Sequence, residues 1–243
     1  MIINSLDNAR VKLWTKLHQK KYRDQHGLFI VEEKHLIEEA INAGMLDTLI
    51  VRENAENPFD REAVIFSEGV MRKLSENVSL NDCIGICRIN AVKEIKGSSF
   101  IILENVQDPG NVGTIIRTAY SLGYDGVLLS QGCASPYSHK TIQSSQGALF
   151  HIPVIEGYIE ELVSSVKKLG CRVYATTLDS SHFLQETNKT DKYAILLGNE
   201  GQGLSDKAVG LADENIKIEM QNFESLNVAI AMGITAYWFK HDK

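Results

Sequence analysis

The chain has 243 residues, enough for one large domain or two small ones around a real core, and carries 25 Lys and Arg against 31 Asp and Glu, a net charge of −6. That balance excludes adhesion to nucleic acid over the whole surface but leaves room for a local basic patch. No apolar run is long enough to span a bilayer and the opening MIINSLDNARVK has no apolar signal-peptide core, so a cytoplasmic protein with no membrane partner is expected.

Residues 1–30 hold such a patch: Arg10, Lys12, Lys16, Lys20, Lys21 and Arg23 stand against Asp7 and Asp24 only. Val11, Trp14, Leu17 and Tyr22 give this basic helix an apolar side, and Gly27 ends it. Cations so little interleaved with acid suit contact with RNA phosphates. A short strand over Leu28–Val31, a helix over Glu33–Ala43 closed by Gly44, and a strand over Leu46–Val51 follow. After a loop come a strand over Ala63–Phe66, a short helix over Gly69–Leu74 and a strand over Ile84–Ile89. Strands alternating with helices make a small α/β domain over residues 1–92, and the polar stretch Ala91–Ser98 reads as a linker. The cysteines, Cys83, Cys87, Cys133 and Cys171, lack the second close pair or His-x-x-x-His of a zinc site, so they are read as reduced thiols with no metal.

Phe100–Leu103 is a continuous apolar run, as in a strand buried on both faces. Asp108, Pro109 and Gly110 break it, and Asn111 is placed as the cap of a helix whose apolar stripe is Val112, Ile115, Ile116, Ala119 and Leu122, stopped by Gly123. Asn111, Thr114, Arg117 and Ser121 form its other face, and Gly126–Ser130 is the next strand. In open α/β sheets ligands bind beyond the carboxyl ends of strands, which is where Asn111 and Arg117 fall. Further on, His139–Ser145 reads as a helix, Leu149–Val154 as a strand, Ile159–Leu169 as a helix closed by Gly170 and Cys171–Thr177 as a strand. Asp179–Thr190 is a polar loop. Tyr193–Leu197 is another buried strand and runs into Gly198-Asn-Glu-Gly201-Gln-Gly203, whose glycines expose backbone N–H groups in an order unlike a dinucleotide loop. Asn215–Met220 is the last strand. Ser225 is placed as the cap of a long apolar helix reaching about Phe239.

Three segments together, Asn111-x-Gly113-x-x-x-Arg117, GNEGQGL and ESLNVAIA, each after a strand, resemble the ordered motifs of the SpoU (TrmH-type) RNA ribose methyltransferases. KLHQKKYRDQHGLFIVEEKHLIEEA and SENVSLNDCIGIC more loosely resemble the small substrate-binding domain that precedes the catalytic domain in many of them. The resemblance implies a mostly parallel α/β sheet tied in a trefoil knot over residues 98–243, S-adenosylmethionine as methyl donor, a ribose 2′-hydroxyl of tRNA or rRNA as acceptor, and a homodimer. It places Arg117 beside the ribose, with Asn111, Glu200, Ser225 and Asn227 completing the catalytic set. The cofactor would lie among Thr176, Thr177, Leu178, Leu197, Gly198, Asn199, Gly201, Ile218, Met220 and Leu226.

The chain departs from the family pattern in three places. Glu33 stands where relatives usually have glycine. Gln143 replaces an arginine before Ser144, Ser145 and Gly147, for which Lys140 is the nearest substitute cation. The loop Met220–Ser225 is one residue short, with Glu219 in place of a proline. Methyl transfer from a sulfonium needs alignment of the reactants and help for a poor nucleophile. Arg117 serves either as general base or as a clamp for phosphate and developing oxyanion charge; a free arginine side chain stays protonated far above neutral pH. The alternatives are an RNA-binding protein without catalysis, a base methyltransferase of the same knotted class and, third, a dinucleotide-dependent oxidoreductase.

Overall fold

The computed structural model describes residues 2–90, 94–180, 182–222 and 225–241. The first half runs β1 (Ile2–Ile3), α1 (Ala9–Lys16), α2 (Lys20–His26), β2 (Leu28–Val31), α3 (Lys34–Asn42), β3 (Leu46–Arg52), β4 (Ala63–Phe66), α4 (Glu68–Leu74) and β5 (Cys83–Arg88). Its sheet has the order β1-β4-β3-β5-β2, with β5 antiparallel to both neighbours. The single basic helix expected at the start is two: α1 stops at Leu17, and α2 ends where Gly27 adopts φ +63°, a conformation costly for any residue with a side chain. Of the expected linker, residues 91–93 lie outside the described residues.

The second half runs β6 (Ser99–Leu103), α5 (Pro109–Ser121), β7 (Gly126–Ser130), α6 (His139–Ser145), β8 (Val154–Gly157), α7 (Ile159–Lys168), β9 (Arg172–Thr176), β10 (Tyr193–Leu197), α8 (Asp206–Leu211), β11 (Glu214–Ile216) and α9 (Val228–His241). These strands form one parallel sheet of order β11-β9-β10-β6-β7-β8. Strand β10 therefore lies between two strands that precede it in the chain.

The continuous apolar runs have the physical reason expected of them. Ile101 and Leu103 of β6 and Ile195 and Leu197 of β10 point into the core shared with α5 and α9, whereas Phe100, Ile102, Ala194 and Leu196 face α7 and α8. The first of these cores is continuous with the N-terminal half: Phe29 of β2 packs on Tyr137 at 4.8 Å and on Phe150 at 6.2 Å between ring centroids.

Three expectations change. Leu149–Val154 is not a strand: Gln146 (φ +50°) and Gly147 (φ +90°) turn the chain into a short 3-10 turn over Ala148–Phe150, which buries Leu149 and Phe150, and pairing begins only after Pro153. The α5 cap is Asp108, whose carboxylate accepts from the Asn111 N–H at 3.0 Å, with Pro109 as the first helical residue; Asn111 is already inside the helix. The strand expected over Asn215–Met220 ends at Ile216.

Asp125 fastens the start of the parallel sheet, accepting from the Ser98 and Ser99 N–H groups at 2.8 and 2.9 Å and from the Ser99 hydroxyl at 2.9 Å. Burial pushes its carboxyl up, but these bonds and nearby Lys240 outweigh that and hold it below the usual carboxylate range. A depressed folded pKa contributes stability that is present above the unfolded value of about 3.9 and is lost as pH falls through the folded value. Asp125→Asn is expected to cost about 2 kcal/mol at pH 7. The gap in denaturation midpoint from the unaltered protein should begin to narrow as pH falls below about 4 and be smaller at pH 3 than at pH 7, which urea titrations at the two values check.

Candidate active site

The carboxyl ends of β6, β10, β9 and β11 are adjacent, and each delivers one of the loops singled out in the sequence. One chain of side-chain hydrogen bonds joins three of them. The Asn227 amide donates to Asn111 Oδ1 at 3.0 Å, and the Asn111 amide donates to Glu200 Oε1 at 2.9 Å. Asn227, not Ser225, caps α9: its Oδ1 accepts from the Ala229 and Ile230 N–H groups at 2.9 and 3.3 Å. Ser225 lies exposed two residues earlier, because the helix begins only at Val228. The same asparagine thus fixes the start of α9 and reaches the first motif.

Each loop has a local reason for its shape. A Cβ on Gly113 would meet the Thr141 carbonyl at 2.5 Å and Ser144 Cβ at 2.6 Å, so this motif glycine lets α5 lie close against α6. A Cβ on Gly198 would come within 2.2 Å of the Gly203 carbonyl carbon; its absence lets the loop double back after β10. Asn199 then holds the loop. Its Oδ1 accepts from the Gly201 and Gln202 N–H groups at 2.8 and 3.0 Å, its amide donates to the Asn105 carbonyl at 2.8 Å, and its backbone exchanges two 3.0 Å bonds with Gly203. Asn199 therefore shapes the loop with its side chain.

Arg117 is exposed on α5 together with Thr114 and Ser121, and among the described residues no hydrogen bond or ion pair ties it down. Two participants went unread in the sequence. Asp108 accepts from the Asn111 N–H, which with Lys140 holds its carboxyl below the usual range; Asp-Pro at a helix start was the available signal. Buried Glu104, just past β6, accepts from the Ser205 N–H at 2.8 Å and hydroxyl at 2.7 Å, pinning the far end of the glycine loop. No spacing in the sequence pairs residues so far apart.

The proposed cofactor residues lie at the ends of the neighbouring strands. Thr176 closes β9 with its hydroxyl on the Leu196 carbonyl at 3.2 Å, and the Thr177 N–H donates to Ile216 at 2.9 Å. Leu197 is buried at the end of β10, Ile218 and Met220 are partly buried beyond β11, and Leu178 and Leu226 expose apolar side chains. Turned backbone beside exposed leucines fits a ligand with a flat heteroaromatic part and polar edges, as an adenosyl group has. Phe223 and Glu224 of the shortened loop lie outside the described residues.

The basic residues divide. Arg23 is only 5% exposed and donates to the Leu17 and His18 carbonyls and to Ser135 of the second half; a cation used to tie the α1–α2 turn inward is withdrawn from any RNA surface. Lys12 pairs with Asp7, Lys20 with Glu156 and Lys140 with Asp108. Arg10 is exposed, and Lys16 and Lys21 flank the Tyr22 ring at 5.3 and 5.9 Å. Lys140 stands by the first motif, and the Gln143 amide donates to Glu33 Oε1 at 2.8 Å, so two departures from the family pattern meet across the two halves. Glu33 holds φ +82°, the left-handed region a glycine would fill without strain. Among the described residues no group of three or more His, Cys, Asp or Glu is placed to hold a metal, and the four cysteines are free.

The chain matches the SpoU rRNA Methylase family over residues 98–237. It belongs to that family. Residues 8–84 match the MRM3-like substrate binding domain. The SpoU chain is 35% identical, over 97% of both sequences, to the 23S rRNA (guanosine(2553)-2′-O)-methyltransferase RlmP of Bacillus subtilis. It is 30% identical to an uncharacterised tRNA/rRNA methyltransferase of Synechocystis, over 97% of this chain and 92% of that one. Among solved structures it resembles the AdoMet-bound rRNA methyltransferase of Sinorhizobium meliloti, with a TM-score of 0.85 and 28% identity over 98% of this chain and 97% of that one.

Asn111 is the link on which this SpoU arrangement turns, since its amide both accepts and donates. Asn111→Asp removes the donor and sets a second carboxylate against Glu200. Its methyl-transfer rate is expected to fall about tenfold below that of Asn111→Ala, the cost of an unpaired charged group being on the order of 1–3 kcal/mol. Initial rates with labelled donor check this.

Proposed function

We propose that the protein transfers a methyl group from S-adenosylmethionine to a ribose 2′-hydroxyl of RNA, with ribosomal RNA as the favoured substrate. The observation that carries this is the hydrogen-bond chain from Asn227 through Asn111 to Glu200, which joins three family motifs at adjacent strand ends beside exposed Arg117. Family membership and the likeness to RlmP over the full length support the RNA and the ribose position.

When bound, the cofactor supplies a methyl already activated by its sulfonium. Leu178, Leu226 and the backbone of residues 197–201 and 218–220 hold it. What the chain adds is placement. Asn111, Glu200 and Asn227 lock the loops so that the ribose is presented in one orientation, which removes much of the entropic part of the barrier. Arg117, with its planar fork of donors, grips the phosphate next to the target ribose and stabilises charge developing on the 2′-oxygen. Ser225 lines the approach to Asn227.

Residues 1–92 act as the substrate-binding domain and residues 98–243 as the catalytic domain. Arg10, Lys16 and Lys21 provide the phosphate contacts. The strand order, with β10 between β9 and β6, supports a trefoil knot in the catalytic domain. Ile230, Ile234 and Tyr237 are exposed at helical spacing on α9, beside an open cleft of about 690 Å³ lined by Leu184, Ile218 and Trp238, which supports a homodimer through this face. No helix among the described residues is long and apolar enough to cross a membrane, and the cytoplasm is the proposed place of work.

Arg117→Ala is expected to lower methyl transfer at least a hundredfold while calorimetry still finds cofactor binding. Total RNA from a deletion strain, labelled by the purified protein and digested to nucleosides, should yield a 2′-O-methylated product. Label on the base instead, or RNA binding with no cofactor binding, refutes the reading.

A further inference from the structure

We propose that the ring of Tyr120 is a stacking platform for an unpaired RNA base neighbouring the nucleotide addressed by Arg117. The proposal rests on the RNA-methyltransferase reading above.

Tyr120 is 46% exposed on α5, three residues after Arg117. Residues three apart on a helix are surface neighbours, with Cβ atoms about 5–6 Å apart, so ring and guanidinium leave the helix side by side. An isolated surface tyrosine samples several rotamers, but this one is held. Its ring lies on the His151 imidazole with centroids 5.5 Å apart and planes 21° from parallel. His151 Nε2 is 2.6 Å from Glu39 Oε2, so a carboxylate of α3, in the other half of the chain, orients the imidazole.

Glu39 is itself seated. Gly147 (φ +90°) faces it, and a Cβ there would stand 2.8 Å from Glu39 Cγ. Three separate pieces of chain, α3, the turn from Gly147 to His151 and α5, thus converge to hold one aromatic ring whose inner face is covered and whose remaining area is open. The hydrogen-bond chain of the active site does not use this assembly, and the His151–Glu39 contact at the junction of the halves does not by itself call for an exposed ring upon it.

The ligand chemistry follows from the ring. Proteins that bind unpaired RNA take unstacked bases splayed onto aromatic side chains. A pre-oriented tyrosine beside the residue that grips the phosphate takes such a base on its π face, whatever the base's identity. The support from Glu39 and His151 also makes the platform sensitive to how the two halves of the chain dock.

The test compares apparent KM for total RNA from a deletion strain, kcat and cofactor affinity among Tyr120 variants. Tyr120→Ala and Tyr120→Leu are expected to raise KM about tenfold with kcat and cofactor affinity unmoved, while Tyr120→Phe and Tyr120→Trp, which keep a π face, restore it. His151→Ala frees the ring without removing it and is expected to raise KM about threefold. A KM in Tyr120→Leu equal to that of the unaltered protein overturns the platform, as does a changed sedimentation coefficient in Tyr120→Leu, which would assign the ring to contact with a second copy. An unaltered protein that methylates no RNA overturns the function reading and the platform with it. An active protein indifferent to Leu at this position overturns the platform alone.

Discussion

A primary amide has a donor and an acceptor at fixed separation, and Asn111 uses both ends across loops that arrive from different strands. Its oxygen takes the Asn227 amide and its nitrogen gives to Glu200. Serine at this position would be too short to reach both, and aspartate would have no N–H to give. The rest of the arrangement serves this bridge. Asp108 starts α5 at the right residue, Gly113 lets the helix settle on α6, and Gly198 and Asn199 fold the glutamate loop back within reach. Arg117 then projects two turns further along a helix whose position is already fixed.

The junction between the two halves is polar and specific around an apolar centre. Phe29 packs on Tyr137 and Phe150, while Arg23 reaches Ser135, Gln143 reaches Glu33, and His151 reaches Glu39. Buried Glu32, 2% exposed, accepts from Ser75, from the Glu76 N–H and from Asn81, and lies 3.6 Å from His139 of α6. Burying a carboxylate is tolerable only when its oxygens are satisfied in this way. The strain at Glu33 has a visible return, since its side chain occupies the Gln143 amide where relatives would bring an arginine.

Strands were legible wherever burial on both faces left an unbroken apolar run, as in β6 and β10, and helices wherever a stripe recurred at helical spacing, as in α5 and α7. The motifs were legible because three of them fall in order after three strands. What escaped was decided by contacts rather than by pattern. Leu149–Phe150 is apolar enough for a strand, yet the left-handed residues before it send it into the core as a turn. Arg23 reads as one more surface cation, and only the position of Ser135 and of the α1–α2 turn carbonyls shows it facing inward. Ser225 and Asn111 are both good capping residues, but the caps lie two residues later and three residues earlier than each alone suggests, at Asn227 and Asp108. Glu104 and Ser205 meet only because β6 and β10 are neighbours.

Strand β9 finds partners only in β10 and β11, both made after it, and Tyr193 of β10 must slot beside Ser99 of β6. A growing polypeptide on the ribosome therefore makes β9 before either partner: β10 covers one edge, and the other stays open until β11 has emerged. Sheet closure depends on sequence-distant pairing, the slowest kind to search for. The Asn111–Glu200 link needs β10 in place beside β6, and Asn227, which follows β11 in the chain, completes the cluster last.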